Sequence, residues 1–187
     1  MDIVNYFLRI IREFLWLLSE LEVLISSPNY YLPFRRIYLY WQKVDHGKML
    51  WIGRGFRLIR RGNLVLGDRC ALGDYTKIAN HALIKIGDDF IGATGLNLDS
   101  GTHDPITLEP QVLPISIGNR VWCGINVTIL AGVTIGDDVV LGAGSLVCKD
   151  IPPSSLAVGV PAKVIKSLNR SENIKMWTWV SSKNLKR

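Results

Sequence analysis

Residues 117–152 read IGNRVW CGINVT ILAGVT IGDDVV LGAGSL VCKDIP, which are six consecutive blocks of six residues. The first position of each block is aliphatic or cysteine, and the fifth is valine, serine or isoleucine. Helices repeat about every 3.6 residues and strands every two, so neither explains this period. A triangular solenoid with one block per side does, because three blocks complete a coil. Residues 18 apart should then stack as core ladders, pairing Ile117 with Ile135, Cys123 with Leu141, and Ile129 with Val147.

A weaker repeat precedes this segment. The blocks LGDRCA, LGDYTK and IANHAL occupy residues 66–83, with Cys70, Thr76 and Ala82 at the fifth position. IKIGDD continues from Ile84, but Phe90 and Ile91 fall one residue early for a perfect repeat. Residues 97–116 abandon the pattern, which predicts a loop excursion there. A β-sandwich with frequent turns is the alternative fold, and six in-register blocks disfavour it.

The segment from Ile117 to Lys166, which ends in IPPSSLAVGVPAKVIK, resembles the hexapeptide-repeat acyltransferases. The likeness extends over about residues 50–166 and is strongest to polysaccharide and maltose-type O-acetyltransferases. It implies an all-β solenoid, a left-handed parallel β-helix, over residues 49–166. From their own residues we expect an amphipathic, basic helical flank at 1–48 and a basic C-terminal helix or tail at 167–187. It also implies homotrimers and acetyl-CoA as the acyl donor.

Charge is segregated along the chain. Residues 1–66 hold 10 Lys or Arg against 5 acidic residues, residues 67–161 hold 5 against 10, and residues 162–187 hold 7 against 1. This distribution favours anionic partners at the flanks and disfavours a nucleic-acid groove. The three cysteines form no C-x-x-C pair, which argues against a disulfide framework or a zinc ribbon and fits the cytoplasm.

His103 lies in the excursion, within GTHDPITLEP. Acyl transfer needs a base to deprotonate the acceptor, and an imidazole with an ordinary pKa of about 6.5 is suited to that at neutral pH. The resemblance gives this loop histidine the same role. Asp104 or Glu109 could orient the ring, although Asp104 suits a turn before Pro105 equally well.

Other candidates lie in regular blocks. The resemblance implies a polar residue, often Asn, one coil below the base, which assigns Asn80 to position acceptor or donor. His81 is a rival base, but its outward position favours a plain surface histidine, and His46 is interpreted as structural. Cys123 occupies a position that points into the coil, so a structural thiol and direct attack in a ternary complex are favoured over a covalent acyl-enzyme.

Coenzyme A contacts are implied by the same resemblance. The residues that it assigns are Trp122, Ala143, Gly144, Cys148, Lys149, Lys163 and Lys166. Small residues would let pantetheine run along the coil, and lysines would pair with its phosphates. Trp122 is equally suited to a core or trimer contact, and Lys163 and Lys166 to a solvated face. No metal is expected, since a β-helical carbonic anhydrase needs three converging histidines and those of this chain are scattered.

The flanks combine aromatic and basic residues. Residues 3–25 predict an amphipathic helix with apolar groups at Ile3, Phe7, Ile10, Phe14, Leu17, Leu18, Leu21 and Leu24. NYYLPFRRIYLYWQK follows at 29–43, and the tail holds Met176, Trp177 and Trp179 before Lys183, Lys186 and Arg187. This composition suits peripheral contact with the inner membrane surface or packing on a neighbouring subunit, and charges interrupt any stretch that would span a bilayer.

The leading hypothesis is therefore O-acetylation of a sugar in an exopolysaccharide, lipopolysaccharide or glycolipid precursor. Acetylation of an amino sugar or an antibiotic is the close alternative. A non-catalytic β-helical scaffold is the alternative from another class, and His103, Trp122 and Lys149 argue against it.

Overall fold

The computed structural model describes residues 3–25 and 33–170. Two helices, α1 (Ile3–Ile25) and α2 (Pro33–Trp41), precede a parallel β-solenoid that begins at Asp45. Most of the predicted C-terminal flank, residues 171–187 with Met176, Trp177 and Trp179, lies outside the described residues. Neither helix in the described ranges is long and apolar enough to span a bilayer.

Three sheets form the sides of the solenoid. Sheet A contains β1 (Asp45–His46), β4 (Leu64–Leu66), β7 (Ile84–Ile86), β12 (Ile115–Ile117) and β15 (Thr134–Ile135). Sheet B contains β2 (Trp51–Ile52), β5 (Ala71–Leu72), β8 (Ile91–Gly92), β13 (Trp122–Cys123), β16 (Val140–Leu141), β18 (Ser155–Gly159) and β19 (Ala162–Ser167). Sheet C contains β3 (Arg57–Leu58), β6 (Lys77–Ala79), β9 (Asn97–Asp99), β14 (Thr128–Leu130) and β17 (Leu146–Val147). The chain visits A, B and C in each coil, which confirms the predicted left-handed β-helix.

The predicted core ladders are present. Ile117 lies opposite Ile135, Cys123 opposite Leu141, and Ile129 opposite Val147, each pair separated by one coil of three blocks. All six side chains are buried, as are the fifth-position valines between them. The six-residue period therefore reflects a core to which each block contributes one inward side chain from its strand and one from its corner.

The earlier coils are longer than predicted. Lys77 lies opposite Asn97 because the side from sheet C to sheet A is two residues longer than a regular block. Ile86 consequently aligns with both Leu66 and Ile117, and Phe90 is fully buried. The predicted register from Ile84 was thus wrong, and so was the inward fifth position for Ala82, which is half-buried at the longer corner.

The excursion is narrower than residues 97–116. Asn97–Asp99 and Ile115–Ile117 are solenoid strands, held by backbone ladders although their sequences lack the hexapeptide pattern. Between them, β10 (Gly101–His103) and β11 (Pro110–Val112) form an antiparallel hairpin at the corner between sheets C and A. The solenoid also starts before residue 49, since β1 pairs with β4.

Helix α1 has the predicted bounds of 3–25, and together with α2 it covers the open edge of the first coil with both apolar and polar groups. Five hydrogen bonds from or to side chains satisfy edge backbone groups: Arg12 Nη1 donates to Ile59 O, Trp16 Nε1 to Phe56 O, Arg35 Nη1 to Ile52 O and Gly53 O, and Gly55 N donates to Glu20 Oε2. A buried, unpaired backbone group costs free energy comparable to a lost hydrogen bond. The helical flank thus terminates the sheet ladders of the solenoid.

Candidate active site

His103 is exposed at the end of β10 and lies opposite Pro110 of β11. Both ends of the hairpin are fixed to the solenoid. Gly101 N donates to Asp99 Oδ1 at 2.9 Å, and Leu113 N donates to Ser100 O at 2.9 Å. His103 is therefore carried on a short ordered hairpin on a rigid support, an arrangement that suits a reactive side chain.

Asp104 shapes the turn of this hairpin. Its Oδ1 accepts hydrogen bonds from the backbone N–H groups of Thr107 at 2.9 Å and Ile106 at 2.8 Å. These bonds hold the pKa of the Asp104 carboxyl below its ordinary value, with the bond from Thr107 the larger cause. The turn interpretation of Asp104 agrees with this geometry, and the structure contains no hydrogen bond between the described side chains of Asp104 and His103.

Asn80 does not have the geometry of a substrate contact. Its side chain is fully buried, and its Nδ2 donates to the backbone carbonyls of Arg60, at 3.0 Å, and Gly62. Its Oδ1 accepts from the Arg60 N–H at 2.9 Å. The predicted role of Asn80 in positioning acceptor or donor is therefore not supported, because its amide is occupied in joining two coils at the longer side.

His81 lies closer to the hairpin than the sequence indicated. A Cβ placed on Gly101 would be only 2.8 Å from His81 Cδ2, so the imidazole packs against the base of β10. Arg60 Nε donates to His81 Nδ1 at 3.4 Å on the other side. His81 thus supports the hairpin that carries His103. The longer spacing of the early coils is the signal that would have placed these residues together.

The residues assigned to coenzyme A are distributed over different corners of the prism. Cys148 and Lys149 are exposed after β17, at the same C-to-A corner as the hairpin but on a later coil. Ala143 and Gly144 are exposed at the corner between sheets B and C. One chain therefore does not bring all of these residues to one place.

The B-to-C corner exposes backbone. A Cβ on Gly124 would lie 2.7 Å from Ala143 N, which shows that consecutive coils are in close contact there. Gly144 has a φ of 71°, a conformation that favours glycine, and nothing lies within 4 Å of the position of its absent Cβ. The resulting surface has room for an extended ligand against the coil.

The remaining assigned residues belong to sheet B. Trp122 is exposed on β13, so it is not a core aromatic. Lys163 and Lys166 are exposed on β19, where they lie opposite Val158 and Leu156 of β18. These two lysines place positive charge at the last strand of the sheet.

The buried thiols are not suited to nucleophilic catalysis. Cys123 is fully buried, and burial raises its pKa. Burial also raises the pKa of Cys70 to about 12. A thiol attacks as its thiolate, so both are structural, as predicted for Cys123. In residues 3–25 and 33–170, no group of three potential ligands from His, Cys, Asp and Glu is arranged to hold a metal.

Comparisons with known proteins agree with the fold. The sequence pattern of the family "Bacterial transferase hexapeptide (six repeats)" matches residues 114–149. Galactoside O-acetyltransferase of Escherichia coli (strain K12) is 42% identical over 131 residues, which are 67% of this chain and 57% of that protein. A solved structure of galactoside acetyltransferase in complex with coenzyme A is 27% identical with a TM-score of 0.56, covering 90% of this chain and 84% of that one.

A second relative of Escherichia coli (strain K12), named "Putative lipopolysaccharide biosynthesis O-acetyl transferase WbbJ", is 34% identical over 151 residues. The matched region is 72% of this chain and 76% of that protein, whereas only 57% of the galactoside enzyme is spanned. The identity to this relative extends over most of its length, and the matched repeat and the observed solenoid agree with it. The chain therefore belongs to the bacterial hexapeptide-repeat transferase family.

Proposed function

We propose that this chain transfers an acetyl group from acetyl-CoA to a hydroxyl of a sugar in an exopolysaccharide, lipopolysaccharide or glycolipid precursor. The observation that carries the proposal is the exposed His103 on an ordered hairpin, at the place where the described solenoid is interrupted. The printed names of the two relatives, a galactoside and a lipopolysaccharide O-acetyltransferase, support the sugar as acceptor.

His103 acts as the general base. A neutral imidazole accepts the proton of the acceptor hydroxyl as the oxygen attacks the thioester carbonyl. The tetrahedral intermediate collapses with cleavage of the carbon–sulfur bond, and the imidazolium returns the proton to the departing coenzyme A thiolate. Asp104 contributes by holding the turn that carries the base.

Acetyl-CoA binds along the exposed coil surface. Ala143 and Gly144 let the pantetheine approach the backbone, with Trp122, Cys148 and Lys149 as further contacts. Lys163 and Lys166 on β19 supply positive charge for the phosphates. No metal takes part in this scheme. We place the reaction in the cytoplasm, with which the three free cysteines accord.

The site is completed by a second copy of the chain in a homotrimer. The base lies at the C-to-A corner, and the small residues lie at the B-to-C corner of the same prism. Packing prisms side by side around a threefold axis brings unlike corners of neighbouring copies together. Each of the three sites would then have one wall from each of two chains.

Replacing His103 with Ala tests the mechanism. We expect kcat/KM for acetyl-CoA-dependent transfer to fall by about 10² to 10⁴, the usual contribution of a general base. Coenzyme A release is followed by chromatography with galactosides and nucleotide sugars as acceptors. His46→Ala, far from the hairpin on β1, is the matched control and should retain activity. Undiminished transfer by His103→Ala would refute the base, and no transfer by the wild type would refute the activity.

A further inference from the structure

Helix α1 leaves a row of apolar side chains on the side away from the solenoid. Its solenoid-facing side is mixed: Leu15 and Trp16 pack against the core, and Arg12, Trp16 and Glu20 donate to or accept from the backbone of the first coil. Surface helices of globular proteins normally bury their whole apolar stripe. The open sheet edge accounts for the polar part of the contact, because unpaired edge N–H and C=O groups require polar partners.

The outward side is a continuous apolar stripe over several helical turns. Its members are spaced three or four residues apart and are 46% to 60% exposed: Phe7, Ile10, Phe14, Leu17 and Leu21. Helix α2 packs beside α1 and has two exposed apolar side chains of its own, Ile37 and Tyr40, the latter 86% exposed. Contiguous exposed apolar surface of this kind marks an interaction site in a folded protein. We call this surface, Phe7 to Leu21 with Ile37 and Tyr40, the outer face.

Among the side chains of the two helices that the structure describes, the exposed charges are of one sign. Glu13 is turned toward the solenoid, where it pairs with Arg57 at 2.9 Å, and Glu20 pairs with Arg35 at 2.8 Å. These are the acidic side chains of α1 that the structure describes. The exposed charges described on the two helices are then Arg9 and Arg36, both cationic. Exposed Tyr6 and Tyr40 add amphipathic rings beside the aliphatic stripe, as is typical of membrane interfaces.

We propose that the outer face binds the surface of an anionic lipid bilayer, with α1 lying in the plane of the headgroups. The apolar stripe would enter the boundary of the acyl chains, while Arg9 and Arg36 would meet lipid phosphates. A second copy of the chain fits this face less well. A symmetric contact of the outer face with itself would bring identical arginines together with no acidic side chain of the described face opposite them.

Vesicle sedimentation with the full chain tests this inference. The wild type should bind phosphatidylcholine vesicles that contain phosphatidylglycerol, and bind more weakly to phosphatidylcholine alone. The double variant Leu17→Gln/Leu21→Gln should bind the anionic vesicles about tenfold more weakly or worse, since two apolar groups are lost from the contact. Arg9→Gln/Arg36→Gln should lose about tenfold on anionic vesicles and little on neutral ones.

Leu83→Gln is the matched control. Leu83 is 47% exposed, close to the 50% of Leu17 and 46% of Leu21, but it lies on the solenoid, immediately before strand β7 of sheet A. It should bind vesicles like the wild type, and circular dichroism melting curves should be similar for all variants. The inference is overturned if the wild type binds neither vesicle, or if the leucine double variant binds as tightly as Leu83→Gln.

A second copy of the chain or another segment of the same chain would cover the outer face instead of a bilayer. The same variants distinguish these two cases, and either case overturns the inference. If vesicle binding is absent and sedimentation velocity shows that Leu17→Gln/Leu21→Gln dissociates an oligomer, the face is an interface between copies. If the double variant instead melts well below Leu83→Gln as a species of unchanged size, another segment of the chain covers it. None of these measurements uses acetyl transfer, so their failure is distinguishable from failure of the proposed enzymatic function.

Discussion

Asp104 illustrates, at the scale of single residues, how a carboxylate beside a catalytic candidate can act through the backbone. It accepts from two amides of the turn and not from the His103 ring. Asp104→Asn keeps an oxygen acceptor and should retain most activity, whereas Asp104→Ala should lose about tenfold in kcat, because a displaced hairpin misplaces the base. Equal losses in both variants, measured as coenzyme A release, would instead indicate that the negative charge itself matters.

The same hydrogen bonds predict a pH dependence of the turn. The pKa of Asp104 in the folded chain is lowered, by the amide of Thr107 and then that of Ile106, below the unfolded value of about 3.9. The stabilisation is therefore present above that unfolded value and is lost as pH falls through the folded value. NMR titration should show the Ile106 and Thr107 amide shifts changing with a midpoint below about pH 3.9. A midpoint at or above the unfolded value would contradict the assignment.

The positions of two residues could be predicted from the sequence. The exposed place of His103 follows from the interruption of the repeat, and the buried place of Cys123 follows from its inward position in a regular block. The role of Asn80 could not be predicted, since its partners Arg60 and Gly62 become neighbours only on the longer side of the coil. The extra length is visible only in the 20-residue spacing between Leu66 and Ile86, and the composition of the block does not mark it.

At the scale of elements, the contact of Glu20 on helix α1 with the first coil of the solenoid can be tested by mutation. Glu20 accepts from Gly55 N and from Arg35, and the Arg35 and Glu20 side chains are largely buried, at 11% and 15% exposure. Glu20→Ala would leave Arg35 without this carboxylate and should destabilise the fold by about 3 kcal/mol. Glu13→Ala removes two ion pairs, with Arg12 and Arg57, whose carboxylate is 42% exposed, and should cost about 1 kcal/mol or less. Chemical denaturation measures both, and equal losses would contradict the cap.

The bounds of α1 were predictable because its apolar period is long and unbroken. Its orientation was not. A periodic pattern shows which residues share a face of a helix, but it does not show toward which neighbour that face points. Here the contacts that orient α1 include backbone groups at the sheet edge, and side-chain periodicity does not show where those groups lie.

Assembly is the prediction at the scale of the whole molecule. Light scattering should give three times the chain mass of 21.0 kDa. If each site uses corners of two copies, chains with His103→Ala and chains with Ala143→Trp should be inactive alone and regain activity when co-expressed, because mixed trimers contain some intact sites. A monomeric mass would contradict assembly, and no recovery in mixed trimers would contradict the shared site.

The solenoid architecture could be predicted from the six regular blocks. Stacking each block on the block three places later aligns the inward side chains of the first positions in the core. The lengths of the earlier coils could not be predicted from these blocks. A solenoid holds each strand by its neighbours in the sheet, so a corner can lengthen without leaving any trace in the strand sequences.

The corner between sheets C and A contains every change of coil length in the described solenoid. Coils before the hairpin are longer than three blocks, since Lys77 lies opposite Asn97, and the coil that includes the hairpin is the longest. Later coils are regular, and the last is shorter, with Ile135 bridging Ile151. Sheets A and C nevertheless stay parallel throughout, and sheet B stays parallel from β2 to β18, with β19 added antiparallel at its end. Loops of very different size can therefore be exchanged at this one corner without rebuilding the three sheets.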